Sequence, residues 1–195
     1  MDEILYIQNL PLQNQNQLLQ QFQNQLLQQN QNEDLQQILY EIFKEHPNND
    51  RIKQFLSSLS NINTFISFNK ETFLHILCLT RNLEMIEYFL ENGGNVNIVS
   101  ENNHNPLYYL FINRYIDFHN IFNIIKLLVK YGINLNIQSE IINVTPLISA
   151  CLKNFPYEII KFMIDNGADF NYKTSIYNPV ELIVLRKEFD IEMLD

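Results

Sequence analysis

The sequence predicts an all-α solenoid of about four helix-turn-helix units, preceded by a Gln/Asn-rich N-terminal segment. Three observations carry this. Four short segments align, TFLH at 72–75, NPLY at 105–108, TPLI at 145–148 and NPVE at 178–181, and their starts are 33, 40 and 33 residues apart. Periods of this size mark stacked arrays. A second set aligns downstream: FLENGGNVN at 89–97, LVKYGINLN at 128–136 and MIDNGADFN at 163–171. The four Gly of the chain, Gly93, Gly94, Gly132 and Gly167, all fall in that second set, and Pro106, Pro146 and Pro179 hold the second place of the first.

Residues 1–33 form the N-terminal segment. Within it, fifteen of the twenty residues at 13–32 are Gln or Asn, and the rest are Leu18, Leu19, Phe22, Leu26 and Leu27. Steps of four and seven place most of these on one side of a helical wheel. Asn is a poor helix former, so such a helix is marginal alone. The segment reads either as a solvated tail or added helix over the end of the core, or as an assembly segment of prion-like kind.

The repeat domain is expected over 34–195, with units at about 34–71, 72–104, 105–144, 145–177 and a truncated 178–195. Leu35, Ile38, Leu39, Ile42 and Phe43 make the first helical stripe, over 35–45, with Asp34 placed to cap it and Pro47-Asn48-Asn49 ending it. A second helix follows at about 51–58. In the next unit Thr72 can cap a helix over 73–80, and a second runs over 83–92. Thr145, Asn105 and Asn178 take the same capping place, and the Pro after three of these four suits the first helical position, where its missing N–H does no harm. Gly93, Gly132 and Gly167 follow the second helices, where a left-handed residue stops a helix. The Asn-x-Asn patterns beyond them favour turns. From Asn105 to Gly132 there are 27 residues against 21 from Thr72 to Gly93, so six are inserted near 113–120. Either the first helix is extended or the inter-helix loop protrudes, and its aromatics either pack on neighbours or form a contact patch. The last unit ends in a short helix near 189–194.

Thr72, Leu74 and His75, then Thr145, Pro146 and Leu147, and the full run Gly167-Ala168-Asp169-Phe170-Asn171 carry a family likeness. The chain resembles the ankyrin repeat, an ankyrin-type α-solenoid with a 33-residue period, a T-P-L-H opening and a G-A-D-x-N ending. It departs from the pattern at Phe73, in the large residues that replace the small pair after the opening, and in lacking the inter-helix Gly. Those departures predict looser packing. The resemblance implies that His75 is a hydrogen-bonding structural residue. It also implies a concave groove made by the loop tips and the exposed side of the first helices. Carried over, the loop positions are Glu101, Asn103, His104, Glu140, Ile142, Tyr172, Ser175 and Tyr177. On the first helices the positions are Ile76, Tyr109, Ser149 and Leu182, with Leu79, Ile112, Leu152 and Leu185 beside them. Exposed, the apolar ones form a contact patch; tucked inward, they are core.

Chemistry is sparse. Of 195 residues, 46% are hydrophobic and 18% charged, and the net charge is −9. That excludes nucleic acid and anionic membrane as default partners, since both need a basic footprint. Two Cys make no disulfide scaffold. The chain opens Met1-Asp2-Glu3, where a secretory signal needs basic residues, and no long apolar run offers a membrane span. An intracellular location, cytoplasmic or nuclear, is expected. His75 and Cys78 share a helix face without a second cluster, and Cys78 and Cys151 hold equivalent places, as small buried residues do. No catalytic set assembles, so neither enzyme activity nor a cofactor is expected. The expected function is a monomeric, non-catalytic protein–protein interaction module whose partner has a neutral or basic surface. The alternatives are a structural protein that self-associates through the Gln/Asn segment, or an adaptor or effector, known among ankyrin-like proteins, recruiting a client to an enzyme such as a ubiquitin ligase.

Overall fold

The computed structural model describes residues 20, 23–24, 32–112, 117–140, 143–172, 174 and 179–184. Nine named helices follow one another among them: α1 Glu33–Ile42, α2 Asn49–Ser58, α3 Phe73–Thr80, α4 Leu83–Glu91, α5 Pro106–Ile112, α6 Phe118–Lys130, α7 Pro146–Leu152, α8 Tyr157–Asp165 and α9 Pro179–Val184. Helices α1, α3, α5, α7 and α9 pack in sequence to form one row, and α2, α4 and α6 form a second beside it. Each unit thus covers the apolar flank of the next; one core cluster runs from α1 to α8, and a small second one gathers at Val144 and Ile148.

The first unit differs from its expected bounds. The cap of α1 is Asn32, whose Oδ1 accepts from the N–H groups of Asp34 and Leu35 at 3.0 and 3.2 Å. Asp34 sits in the first turn instead, where its charge suits the helix dipole. Helix α1 stops at Ile42 because buried Glu41 ties the following turn together. It accepts from Lys44 Nζ at 2.7 Å and from the Asn48 N–H at 2.8 Å. The Lys44 ammonium holds the Glu41 carboxyl below the usual carboxylate range.

The punctuation performs as its residue types require. Thr145 Oγ1 accepts from the Ile148 N–H and Asn105 Oδ1 from the Tyr108 N–H. Pro106, Pro146 and Pro179 open α5, α7 and α9. Gly93, Gly132 and Gly167 have φ of +86°, +81° and +96°, a region that strains any side chain. Where the inter-helix Gly is missing, Arg81 and Asn154 take left-handed backbone themselves, at φ +58° and +55°. That departure is absorbed by the backbone, at roughly 1 kcal/mol per residue, while Leu74, Leu77, Phe89 and Leu110 of the core stay fully shielded.

The insertion begins within the expected stretch 113–120, but it lengthens the second helix of the unit rather than the first. Helix α5 has 7 residues, like α7, whereas the second helix α6 has 13 against 9 for α4 and α8. Asp117 caps the extra turn by accepting from the Asn120 N–H at 3.1 Å. Its aromatics pack on the next unit, Phe118 on Phe155 and Phe122 on Phe162, at ring separations of 5.6 and 5.4 Å. Residues 113–116, Asn178, the helix expected near 189–194 and nearly all of 1–31 lie outside the described residues.

Candidate functional site

Three loops between units turn back as hairpins along one edge of the array. The Ile66 N–H donates to Glu71 O at 2.7 Å, Ser100 to His104 O at 3.0 Å, and Ser139 to Val144 O at 3.2 Å. Each turns through a left-handed apex, at Lys70, Asn103 and Asn143. The tips are also joined to one another. The Glu101 N–H donates to Asn69 O at 2.8 Å and the Glu140 N–H to Asn102 O at 3.1 Å. Asn103 Nδ2 adds a bond to Gln138 O at 2.8 Å. The tips therefore form one strip rather than three independent loops.

A buried polar seam supports this strip. The Thr72 N–H donates to His75 Nδ1 at 3.0 Å, which makes that nitrogen an acceptor and puts the ring proton on Nε2. Nε2 then donates to His104 O at 3.2 Å. His104 Nε2 lies 2.8 Å from Ser139 Oγ and its ring stacks on Tyr108. Burial pushes both imidazoles down, to about 4 each. The Tyr109 hydroxyl donates to Glu71 Oε1 at 3.0 Å, and Ser67 Oγ donates to the other oxygen of that buried carboxylate. Burial, with the Glu71 charge beside it, raises the Tyr109 hydroxyl's pKa.

The same inter-unit loops carry a ladder of amides just before each tip, where the second helix has ended. Asn63 Nδ2 donates to Gly93 O at 3.1 Å, Asn97 Nδ2 to Gly132 O at 2.9 Å and Asn136 Nδ2 to Gly167 O at 2.8 Å. The same side chains accept from the N–H groups of Asn95, Asn134 and Asp169 at 2.7, 2.6 and 2.7 Å. The first Asx of each Asn-x-Asn or Asp-x-Asn makes the expected turn, and in the three Asn-x-Asn copies the second clamps the following unit.

Against the expected groove, the residues divide. Glu101 and Glu140 are exposed on the tips, and Asn103, Tyr172 and Ile112 are half-buried. Three are corrected to buried positions: Ile76, Tyr109 and His104. Helix α3 is apolar all round and lies against α1, α4 and α5, so Ile76 and its neighbour Leu79 are core. Tyr109 turns its hydroxyl in to Glu71, and His104 turns its ring in to Ser139. Ser149 is buried as well, while Leu152 and Leu182 are half-buried. Ile142, Ser175, Tyr177 and Leu185 lie outside the described residues. The tips also hold two aromatics that the repeat register did not flag, Phe65 and Phe68, at 51% and 77% exposed. Two Phe in an otherwise polar loop were the available signal.

Cys78 and Cys151 are free and buried, and burial pushes the Cys78 thiol well up, away from reactivity. Among the described residues no group of three or more His, Cys, Asp or Glu is placed to hold a metal ion, and no helix is long and apolar enough to cross a membrane.

A family model of ankyrin repeats, three copies long, matches residues 38–139, and a single ankyrin repeat matches 143–175. The chain belongs to the ankyrin repeat family. It is similar to the ankyrin repeat protein B18 of vaccinia virus (strain Copenhagen), 22% identical over 111 residues. That match covers 56% of this chain and 19% of the viral protein, so the chain spans a small part of that relative's length. Ankyrin repeats generally serve as protein–protein interaction modules, typically without catalysis.

Proposed function

We propose that this ankyrin array, residues 34–195, is a monomeric, non-catalytic module that binds a protein partner along its hairpin-tip edge. One observation carries the reading: consecutive tips are bonded into a strip that faces solvent, while Ile76 and Tyr109 of the first helices are buried. Contact therefore falls on Glu101, Asn103, Glu140 and the tip aromatics more than on a helical groove wall. Because the strip is tied together before any partner arrives, binding orders little backbone. The acidic balance of the chain favours neutral or basic protein surfaces.

The test is selection of binders from a displayed peptide library on the full chain, followed by measurement with single variants. Phe68→Ala on the tips should weaken capture about tenfold, and Glu87→Lys on the exposed face of α4 should leave it intact. The opposite pattern overturns the tip-edge reading.

A further inference from the structure

The equivalent residue of three consecutive tips is Phe68, then Glu101, then Glu140, each directly following a Ser: Ser67, Ser100 and Ser139. Ser100 and Ser139 are buried, and the residue after each Ser is exposed in all three tips. Backbone bonds of 2.8 and 3.1 Å lock the first tip to the second and the second to the third. The edge therefore presents a fixed order: an aromatic, a carboxylate, a carboxylate. The same hairpin also exposes Phe65 and, at its left-handed apex, Lys70.

From this order, and resting on the tip edge as the contact surface, we infer that the partner is an extended peptide segment. It carries one large apolar residue and two basic residues, both on the same side of the apolar one. Adjacent packed helices lie about 9 Å apart, so successive tips step by about that distance. An extended chain of polyproline II type advances about 3.1 Å per residue and returns every third side chain to the same face, which sets about three residues per tip. The basic residues thus fall about three and six positions from the apolar anchor. The anchor lies against Phe68 and Phe65. A basic side chain at the anchor itself is disfavoured by Lys70, which gives the segment a direction along the edge. Aromatic anchors supply most of the binding energy in such contacts, and the carboxylates select the sequence and speed association.

A displayed library of random 12-residue peptides, selected on the full chain, tests this. The expected result is enrichment of an apolar residue with Lys or Arg three and six positions to one side. Binding of an enriched peptide should weaken about tenfold with Phe68→Ala and about threefold with each of Glu101→Gln and Glu140→Gln. It should also weaken between 50 and 500 mM salt. Glu101→Lys should select peptides with Glu or Asp at the matching position. Thermal melting of each variant should match the parent, since these side chains are exposed. Enriched peptides that lose binding with Phe68→Ala but lack the basic spacing overturn the inference and leave the tip edge standing. Peptides indifferent to all three positions overturn the tip edge itself. Failure to enrich any peptide overturns the extended-segment partner. Self-association in sedimentation that Phe68→Ala abolishes overturns it in favour of a second copy.

Discussion

Two sets of contacts within the inter-unit loops tie each unit to the next, and they do so in opposite ways. Beneath the hairpin tips the ties are buried: His75 to His104, His104 to Ser139, and Tyr109 to Glu71. Just before the tips Asn63, Asn97 and Asn136 work in the open, each with one donor and one acceptor atom. A bond shielded from water is stronger, and leaving a partner unmet there is expensive; a solvated amide loses far less when cut. The buried set should therefore govern stability and its dependence on pH, and the open set should govern register.

Acid should break this comparison most sharply. Burial puts the His75 pKa at about 4, below the ordinary value of 6.5, so the unfolded chain binds more protons between those limits. The stability held above pH 6.5 is lost as the pH falls toward 4, by about 3 kcal/mol from His75 alone. Protonation at Nδ1 also removes the acceptor of the Thr72 N–H. Denaturant titrations at pH 7.5, 5.5 and 4.5 should show the loss, with His104 adding to it in the same direction. His75→Asn should make the profile shallower. Next in size is Tyr109→Phe, which leaves Glu71 Oε1 without its donor inside the seam. A decrease of about 2 kcal/mol at pH 7.5 is expected. In the open set, Asn97→Ala removes two bonds yet should lower stability by only about 1 kcal/mol, with no change in pH dependence. If it matched Tyr109→Phe, the distinction between the two sets would fail. Smallest is Asn154→Gly, which relieves left-handed backbone and should raise stability by about 0.5 kcal/mol, read as a small rise in Tm.

Much of the fold was legible because it rests on local rules. A capping residue before the first turn and Gly after the last act through local backbone geometry, so Thr72 and Gly93 placed α3 and α4 to within one residue of 73–80 and 83–92. What escaped depended on neighbours. The register of a first helix left Ile76 and Leu79 open between an exposed patch and the core, and α3 decides for the core because it meets α1, α4 and α5. The run Phe73-Leu74-His75-Ile76-Leu77-Cys78-Leu79 already hinted at this, since a helix apolar all round is a buried one. The hydroxyl of Tyr109 finds Glu71 across a gap of 38 residues, a pairing that repeat register does not encode. The inserted residues were counted correctly and placed near 113–120, but a lengthened second helix was not among the expected alternatives. The double use of each clamping Asn was hidden in a pattern that turn chemistry alone already explained.

The amide ladder also explains where a unit of this chain tolerates extra length. In all three loops the clamping Asn, or its counterpart, stands four residues past the Gly: Gly93 and Asn97, Gly132 and Asn136, Gly167 and Asn171. That interval behaves as a ruler, whereas α6 could take on four residues more than α4 without disturbing it. Variation in such a scaffold is channelled into helices and hairpins. A single-residue indel between Gly132 and Asn136 would point that amide away from the Gly167 carbonyl and uncouple two halves that are otherwise intact.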